Sequence, residues 1–311
     1  MHNHHLRRPR IDDAAAIHEL VSACDLAVIG AVDATLDDIA DELAEPGFDR
    51  DRDGWVAEGE DGVLTGWAWT VRKGDSDMVE VEVLVRPGVE GLAGILWDHV
   101  LTRAAELARE AGHDGATADL GVYRTDEAKR AEAAARGFAP ATGFHRMRID
   151  FDGPVGHPEL PAGLTLATGE DEQVREHAHR VHQEGFADHF GFVKVDYDAW
   201  YARRQAQSTN DWAQLTVAYV DGEPAAMLHR TNMFASDENC GYVATLAVLP
   251  AHRGAGLGRF LLRHAFAEDA ARGRAGTILH VDSNNTTPAL GLYTSAGMRP
   301  VLVIDVWRRR L

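Results

Sequence analysis

The strongest constraint on the fold is that one order of predicted elements occurs twice along the chain. Each half contains a hairpin of two apolar strands joined by Asp-Gly, followed by a strand that a proline ends. A long amphipathic helix, a strand, a short helix and a final strand come next in both halves. This repeat is far longer than the units of solenoid proteins. The sequence therefore predicts two units of one plan, in the α/β (α+β) class.

A segment rich in proline and glycine separates the two halves. Residues 151–161 read Phe-Asp-Gly-Pro-Val-Gly-His-Pro-Glu-Leu-Pro, and such residues interrupt regular structure. We therefore expect one domain at 1–152, a linker at 153–162 and a second domain at 163–311. The predicted strands are 54–58, 63–71, 79–85, 116–120 and 144–149, then 164–167, 214–220, 225–231, 242–249, 277–281 and 301–307. The predicted helices are 11–29, 94–111, 126–135, 170–184, 257–272 and 288–295, with Thr168 as a candidate N-cap.

Composition restricts the classes of function. The 311 residues carry a formal net charge of −18 and no long basic run, so no nucleic acid partner is expected. An acidic surface favours a cationic substrate such as an amine, although solubility alone also explains it. No apolar run reaches the ~18 residues of a spanning helix, and Met1-His-Asn-His-His5 lacks the apolar stretch of a secretory signal. With only Cys24 and Cys240, a disulfide framework is not expected, and we predict a cytoplasmic protein without membrane contacts.

A glycine-rich turn joins the predicted strand at 242–249 to the predicted helix at 257–272. Gly254, Gly256 and Gly258 lack side chains, so their amides can approach a ligand closely. The helix that follows presents unpaired N–H groups and its positive dipole end, which together suit a pyrophosphate. The Gly-Lys-Ser/Thr ending of a P-loop is absent, and the glycine spacing differs from the dinucleotide fingerprint. A tight connection that holds no ligand is the alternative.

Two motifs, in a fixed order, carry a resemblance to a known family. The run Leu246-Ala-Val-Leu-Pro250-x-x-Arg253-Gly-x-Gly256-Leu-Gly258 closely resembles the cofactor motif of the GNAT superfamily of acetyl-CoA-dependent N-acetyltransferases, whose core is R-x-x-G-x-G. The later run Val281-Asp-Ser-Asn-Asn285, then Ala289-Leu-Gly-Leu-Tyr293-Thr-Ser-Ala-Gly297-Met298, is similar to the second family motif. The resemblance covers residues 162–310. It implies acetyl-CoA as co-substrate, and a twisted mixed sheet flanked by helices in which two neighbouring strands splay apart.

The resemblance also implies roles for individual residues. The backbone of Leu246, Ala247 and Val248 would pair with the pantetheine arm, and Asn285 would contact the cofactor from the end of the next strand. Tyr293 would protonate the departing thiolate, which suits a phenol with a reference pKa of ~10. A tyrosine packed in the core with a satisfied hydroxyl is the alternative. The amides of seven consecutive residues would hold the pyrophosphate: Arg253, Gly254, Ala255, Gly256, Leu257, Gly258 and Arg259.

The group that accepts the proton of the attacking amine is not identified by the sequence. Many relatives place a carboxylate on the strand before the glycine turn, but residues 242–246 contain neither Asp nor Glu. The candidates are Glu184, Asp188, His189 and His229, and each is also explained as a surface or packing residue. Direct deprotonation by water is a further alternative. No metal site is expected, because the histidines on the predicted helix at 170–184 are poorly spaced for joint ligation.

The corresponding stretch of the first half departs from the family pattern. The strand and Pro87 match, but the arginine–glycine cluster is missing, and Glu90 puts a negative charge where pyrophosphate would lie. Ala133 stands where the tyrosine would be. We therefore expect a degenerate GNAT-like domain here and a catalytic one in the second half. This organisation resembles tandem GNAT proteins, a group that includes mycothiol synthase and related actinobacterial proteins, and the likeness of architecture does not fix the substrate.

The resulting prediction is an acetyl-CoA-dependent N-acetyltransferase. It would move an acetyl group to a primary amine of a small molecule by direct attack, as a monomer or a homodimer. A non-catalytic acetyl-CoA-binding sensor or interaction protein is the alternative that the missing strand carboxylate suggests. Nucleotide-dependent chemistry is a third interpretation, which would show as stabilisation by ATP or NAD instead of acetyl-CoA.

Overall fold

The computed structural model describes residues 4–283 and 289–311, which form two compact units. The first contains the described residues up to Thr142 together with Ile304–Leu311, and the second contains those of Gly143–Val303. Each unit therefore takes one strand from outside its own half of the sequence. The two units differ in this way from the linear segments 1–152 and 163–311. As a description of two duplicated copies, that linear division stays a prediction.

The first unit is a mixed sheet with helices on both faces. Its sheet order is β1-β2-β3-β4-β5 followed by residues 304–310 of β12, and the β4–β5 pair is parallel while the other pairs are antiparallel. Helix α4 covers one face and helices α1 and α2 cover the other. The bounds are β1 His5–Arg7, α1 Ala14–Ile29, α2 Leu36–Ala44, α3 Arg50–Asp53, β2 Gly54–Glu58, β3 Leu64–Arg72, β4 Met78–Val85, α4 Leu92–Glu110, β5 Thr117–Tyr123 and α5 Glu127–Ala135.

The second unit has the same plan. Its sheet order is β6-β11-β10-β9-β8-β7, in which the β10–β11 pair is parallel and the others are antiparallel. Helix α8 packs on one face and helices α6 and α7 on the other. The bounds are β6 Ala139–Asp150, β7 Leu164–Thr168, α6 Glu172–Gly185, α7 Tyr197–Ala206, β8 Leu215–Val220, β9 Glu223–Thr231, β10 Cys240–Val248, α8 Leu257–Ala271, β11 Gly276–Asp282, α9 Ala289–Ser295 and β12 Arg299–Arg310.

The predicted fold class is confirmed, and most predicted elements occur close to their predicted bounds. The Asp-Gly hairpin between β8 and β9 turns through Asp221 at φ 51° and Gly222 at φ 88°, the left-handed pair that such a turn needs. The predicted N-cap Thr168 is wrong, because α6 begins at Glu172 and the Asp171 carboxylate accepts the Gln173 N–H at 2.7 Å. Strand β1 and helices α2, α3 and α7 were not predicted. No described helix is long and apolar enough to cross a bilayer.

The parallel strands β10 and β11 separate part-way along their length. Their pairing covers residues 240–243 against 276–279, after which β10 continues to Val248 and β11 to Asp282. On its other side, β10 pairs Val243 with Arg230 and Thr245 with His229, which leaves Ala244 as a bulge. A bulge bends its strand and increases the local twist. The second unit therefore has the splayed strands that the family resemblance implies.

A buried ion pair fastens α8 to this sheet. Arg230 on β9 donates to Asp269 on α8 at 2.8 Å, and the Thr277 hydroxyl of β11 donates to the same carboxylate at 2.6 Å. Both charged side chains are about 2% exposed. Gly241 on β10 leaves room for this contact, since a Cβ there would lie 2.1 Å from the Asp269 carboxyl carbon. One carboxylate thus joins α8 to three neighbouring strands.

We expect Asp269→Ala to lower the free energy of unfolding of the second unit by about 3–5 kcal/mol, because it leaves Arg230 buried without its partner. Chemical denaturation of the whole chain measures this change. Arg299→Ala is the matched control, since its pair with Asp150, at 2.7 Å, has side chains 61% and 42% exposed. The control should cost less than about 1 kcal/mol. Equal losses in the two variants would show that burial of the pair has no energetic consequence.

Candidate active site

The second unit contains a cavity of about 440 Å³ where β10 and β11 separate. Four segments form its walls: the end of β10, the turn into α8, the end of β11 and helix α9. The end of α6 and the residues after it close a further side. Because the C-terminal ends of parallel strands meet at one edge of a sheet, segments far apart in sequence share this space.

Most of the residues predicted to bind the cofactor line this one cavity. Ala255 is not among its lining residues, and Asn285 lies outside the described residues. The structure therefore brings the two sequence motifs together through Tyr293. The predicted residues that line the cavity are Leu246, Ala247, Val248, Arg253, Gly254, Gly256, Leu257, Gly258, Arg259 and Tyr293.

Two of the three glycines of the turn are required by their backbone conformation. Gly254 at φ 80° and Gly256 at φ 85° adopt left-handed conformations, and a Cβ at either would meet no other atom within 4 Å. Their requirement is conformational, because other residues pay strain in that region. Gly258 differs, because its Cβ would lie at ordinary contact distances, 3.4 Å from Leu292 and 3.8 Å from Val248. The turn therefore lies against both β10 and α9.

Helix α8 begins at this turn without a side-chain cap. Its N-cap is Gly256, whereas Asp171 and Asp196 cap α6 and α7 with hydrogen bonds of 2.7 and 2.8 Å. The first N–H groups of a helix need partners outside the helix, and its positive dipole end favours an anion. Since Leu257 and Gly258 line the cavity, this helix end is a suitable place for a diphosphate.

Two exposed arginines fasten the turn to its neighbours. Arg253 donates from Nη2 to the Gly185 carbonyl at 3.0 Å and from Nε to the Val248 carbonyl at 3.2 Å. Arg259 donates to the Ser295 hydroxyl at 2.8 Å, which joins α8 to α9. Each guanidinium has further N–H groups, so both can add positive charge at the rim of the cavity.

Tyr293 contributes a phenol to the cavity from α9. The side chain is 8% exposed, and burial raises its pKa to about 12. The hydroxyl is therefore protonated at neutral pH and can serve as a proton donor. Helix α9 ends immediately afterwards, where Gly297 adopts φ 98° and the Met298 N–H donates to the Tyr293 carbonyl at 3.1 Å.

Of the four candidate proton acceptors, His189 lines the cavity. Its ring is half-buried, and burial lowers its pKa while the charge of Asp282 opposes this shift. Glu184 and Asp188 are exposed and are not among the lining residues. His229 is 1% exposed, its Nε2 lies 3.0 Å from Asn210 Oδ1, and burial lowers its pKa to about 3. It is therefore a packed residue of β9 and does not line the cavity.

Three polar residues of the cavity were not predicted from the sequence: His252 in the turn before α8, and Asp282 and His280 on β11. Asp282 ends β11 and is 7% exposed. The cavity therefore has a carboxylate from β11, whereas the sequence prediction considered only β10. The ring nitrogens of His280 lie 3.0 Å from the Tyr242 hydroxyl and 3.3 Å from Arg146 Nε. The expected parallel pairing of β10 with β11 was the signal from which Asp282 and His280 could have been predicted.

The corresponding place in the first unit is occupied by its own side chains. Glu82 on β4 accepts the Val83 N–H at 2.7 Å and pairs with Lys129 of α5 at 2.5 Å. Cys24 of α1 donates to the Val85 carbonyl at 3.4 Å. Two backbone groups near the end of β4, the Val83 N–H and the Val85 carbonyl, therefore already have side-chain partners within the unit.

Known proteins resemble this chain along most of its length. A model of the acetyltransferase (GNAT) family matches residues 172–298. A mycothiol acetyltransferase of Thermobispora bispora is 32% identical over 244 residues, 75% of this chain and 77% of that protein. One from Nocardia farcinica is 30% identical over 302 residues, 94% of this chain and 92% of that protein.

Two solved structures share the fold. A GCN5-related N-acetyltransferase from Sphaerobacter thermophilus has a TM-score of 0.79 and 21% identity, covering 99% of this chain and 95% of that one. A tandem GNAT protein from the clavulanic acid biosynthesis pathway has a TM-score of 0.76 and 20% identity, covering 99% and 98%.

We expect Gly256→Val to raise the dissociation constant for coenzyme A about tenfold. A residue with a Cβ at this φ pays roughly 1–2 kcal/mol, which relaxation of the turn relieves at the expense of the N–H cluster. Calorimetric titration measures the change. Gly273→Val is the matched control, because Gly273 has φ 75° and similarly open surroundings at the other end of α8. The prediction is wrong if both variants bind coenzyme A equally well.

Proposed function

Because this chain belongs to the GNAT family of acetyltransferases, in its tandem-domain form, and is thus an acyltransferase, we propose that it acetylates a primary amine of a small molecule with acetyl-CoA. The observation that carries the proposal is the shared cavity of the second unit. There, the open edge of β10, an uncapped helix end and a buried tyrosine face one space.

The open edge of β10 suits the pantetheine arm. Beyond Val243 the strand is not paired with β11, so backbone groups of Leu246, Ala247 and Val248 can bond an amide-bearing chain as a neighbouring strand would. The diphosphate would lie on the amides of residues 253–259, Ala255 among them, with Arg253 and Arg259 at the rim. Asn285 stays a predicted contact to the cofactor.

The chemical steps follow from the groups around the cavity. The amine attacks the thioester carbonyl, and the N–H of Leu246 donates to the oxygen as negative charge develops there. The carbon–sulfur bond then breaks, and Tyr293 donates its proton to the thiolate. Holding both reactants in one cavity supplies much of the rate enhancement, since attack becomes effectively intramolecular.

His189 is the residue that we propose to take the proton from the amine. Its lowered pKa keeps the imidazole neutral at pH 7, the form that accepts a proton. Asp282 places negative charge in the same cavity, which attracts an ammonium group. Exposed Glu184 and Asp188 lie next to His189 in sequence and would help to draw in a cation. His229 is buried on the packed face and is left out of the mechanism.

The same proposal covers the setting of the reaction. The first unit would act as a degenerate domain, because the ion pair of Glu82 with Lys129 lies near the end of β4 and the arginine–glycine cluster is missing there. Both cysteines are free and the net charge is −18, which favours a reducing cytoplasm and a cationic acceptor, with no nucleic acid or membrane partner. The active form would be a monomer or a homodimer.

We expect Tyr293→Phe to lower kcat about 10²-fold or more while the dissociation constant of acetyl-CoA stays unchanged, because only the proton donor is lost. Release of coenzyme A thiol, measured over a panel of amines, reports the rate. The panel should include a mycothiol-type amine, since relatives carry that name. A wild-type protein that binds acetyl-CoA but acetylates none of the amines would instead support the sensor.

The pH dependence tests His189. A base with a lowered pKa keeps its activity below pH 6.5, the ordinary histidine value, and loses it as pH falls through the lowered pKa. We expect His189→Gln to lower kcat/KM about 10²-fold and to abolish this acid limb. Asp198→Asn, at an exposed acid on α7 that does not line the cavity, should change neither. A His189→Gln profile with the wild-type acid limb would assign that limb to another group.

A further inference from the structure

Three potential metal ligands meet on the surface of the second unit, away from the residues that line the cavity. His264 and Glu268 lie one turn apart on α8, and His157 comes from the segment between β6 and β7. One ligand atom from each lies within 4.8 Å of the other two. The His157 Nδ1 is 3.8 Å from Glu268 Oε1, and the two imidazole rings are 5.8 Å apart.

The two helical ligands are held in position by their neighbours. The second carboxylate oxygen of Glu268 lies 3.5 Å from Nη2 of Arg230, which is itself held in the buried pair with Asp269. The His264 ring stacks on Phe260, with planes 7° apart and centroids 6.3 Å apart. Outer contacts of this kind fix the direction of a ligand and reduce the entropy lost on binding.

We propose that His157, His264 and Glu268 bind one Zn²⁺ ion. Two imidazoles and a carboxylate are donors that Zn²⁺ prefers, whereas Mg²⁺ and Ca²⁺ prefer oxygen ligands alone. Tetrahedral bonds of about 2.1 Å place ligand atoms about 3.4 Å apart, so rotation of the exposed His157 side chain, from separations of up to 4.8 Å, completes the site. Water fills the fourth position.

This site is independent of the acetyl-transfer proposal. None of its three residues lines the cavity, and binding would fasten the segment between β6 and β7 onto α8. No sequence pattern indicates this site, because His157 and His264 are more than a hundred residues apart. The alternative arrangement is a simple contact between a histidine and a carboxylate, which needs no metal and has no affinity for one.

The test is calorimetric titration of the full chain with Zn²⁺. His2, His4 and His5 near the N-terminus could also bind metal, so the titration uses a background in which all three are asparagine. We expect one Zn²⁺ per chain and no binding of Mg²⁺. Titration with Co²⁺ should give the visible absorption of a tetrahedral complex, a second readout independent of heat.

Variants in the same background decide between metal binding and a simple contact. His157→Asn, His264→Asn and Glu268→Gln should each weaken Zn²⁺ binding at least about tenfold. Glu159→Gln, an exposed acid in the same segment, is the control and should change nothing. If His264→Asn fails to fold, the exposed His157 carries the test. Zn²⁺ binding that disappears with the N-terminal histidines, or that all four variants retain equally, would overturn the proposal.

Discussion

The early end of the β10–β11 pairing is the constraint on which the site depends. A continuous parallel pair would satisfy the backbone groups from Leu246 to Val248 within the sheet and leave no space between the strands. The bulge at Ala244 bends β10 away while its antiparallel pairing with β9 continues. The cavity therefore lies where β10 leaves β11, and the turn, β11 and α9 contribute to it because they begin or end at that edge.

The two units differ in strand pairing and in side-chain contacts near the ends of β4 and β10. Strand β4 pairs with β3 without interruption, whereas β10 has a bulge at Ala244. The last parallel pair of β4 is therefore at Val81, six residues before Pro87, and that of β10 is at Val243, seven residues before Pro250. In the first unit the Glu82 carboxylate accepts the N–H of Val83 on the same strand, and Lys129 pairs with this carboxylate. A similar fold thus persists without the cavity chemistry, because the helices and hydrophobic cores that stabilise each sheet do not use the gap.

Helix α8 contributes to the stability of the second unit, to its cavity and to the proposed metal site on its surface. The first turn of α8 faces the cavity. Near the other end of the helix, Asp269 bonds to buried groups of β9 and β11 and packs against Gly241 of β10. Arg230 completes that pair and also lies 3.5 Å from Glu268. In contrast, Arg253 and Arg259 stay exposed at the other end, where a charge can still meet a ligand. Arginine therefore stabilises the fold where it is buried, and it remains available to a ligand where it is exposed.

The sequence by itself determined the local structure and the turn that lines one side of the cavity. Glycine at 254, 256 and 258, a proline that ends β10 and an apolar helix face are local signals, because conformation and periodicity act over a few residues. Short elements such as α7 were not predicted, although Asp196 is an N-cap signal, because its burial through Trp200 depends on distant partners.

Only the tertiary structure decided the polar half of the site and the origin of the strands in each unit. Residues 143–150 and 304–310 pair outside their own halves, which no local pattern encodes. Asp282 became a cavity residue because its strand lies beside β10, and His229 proved to be a core residue because Asn210 and Trp212 enclose it. Which side chains share one space depends on packing between distant segments, whereas the sequence states only their order.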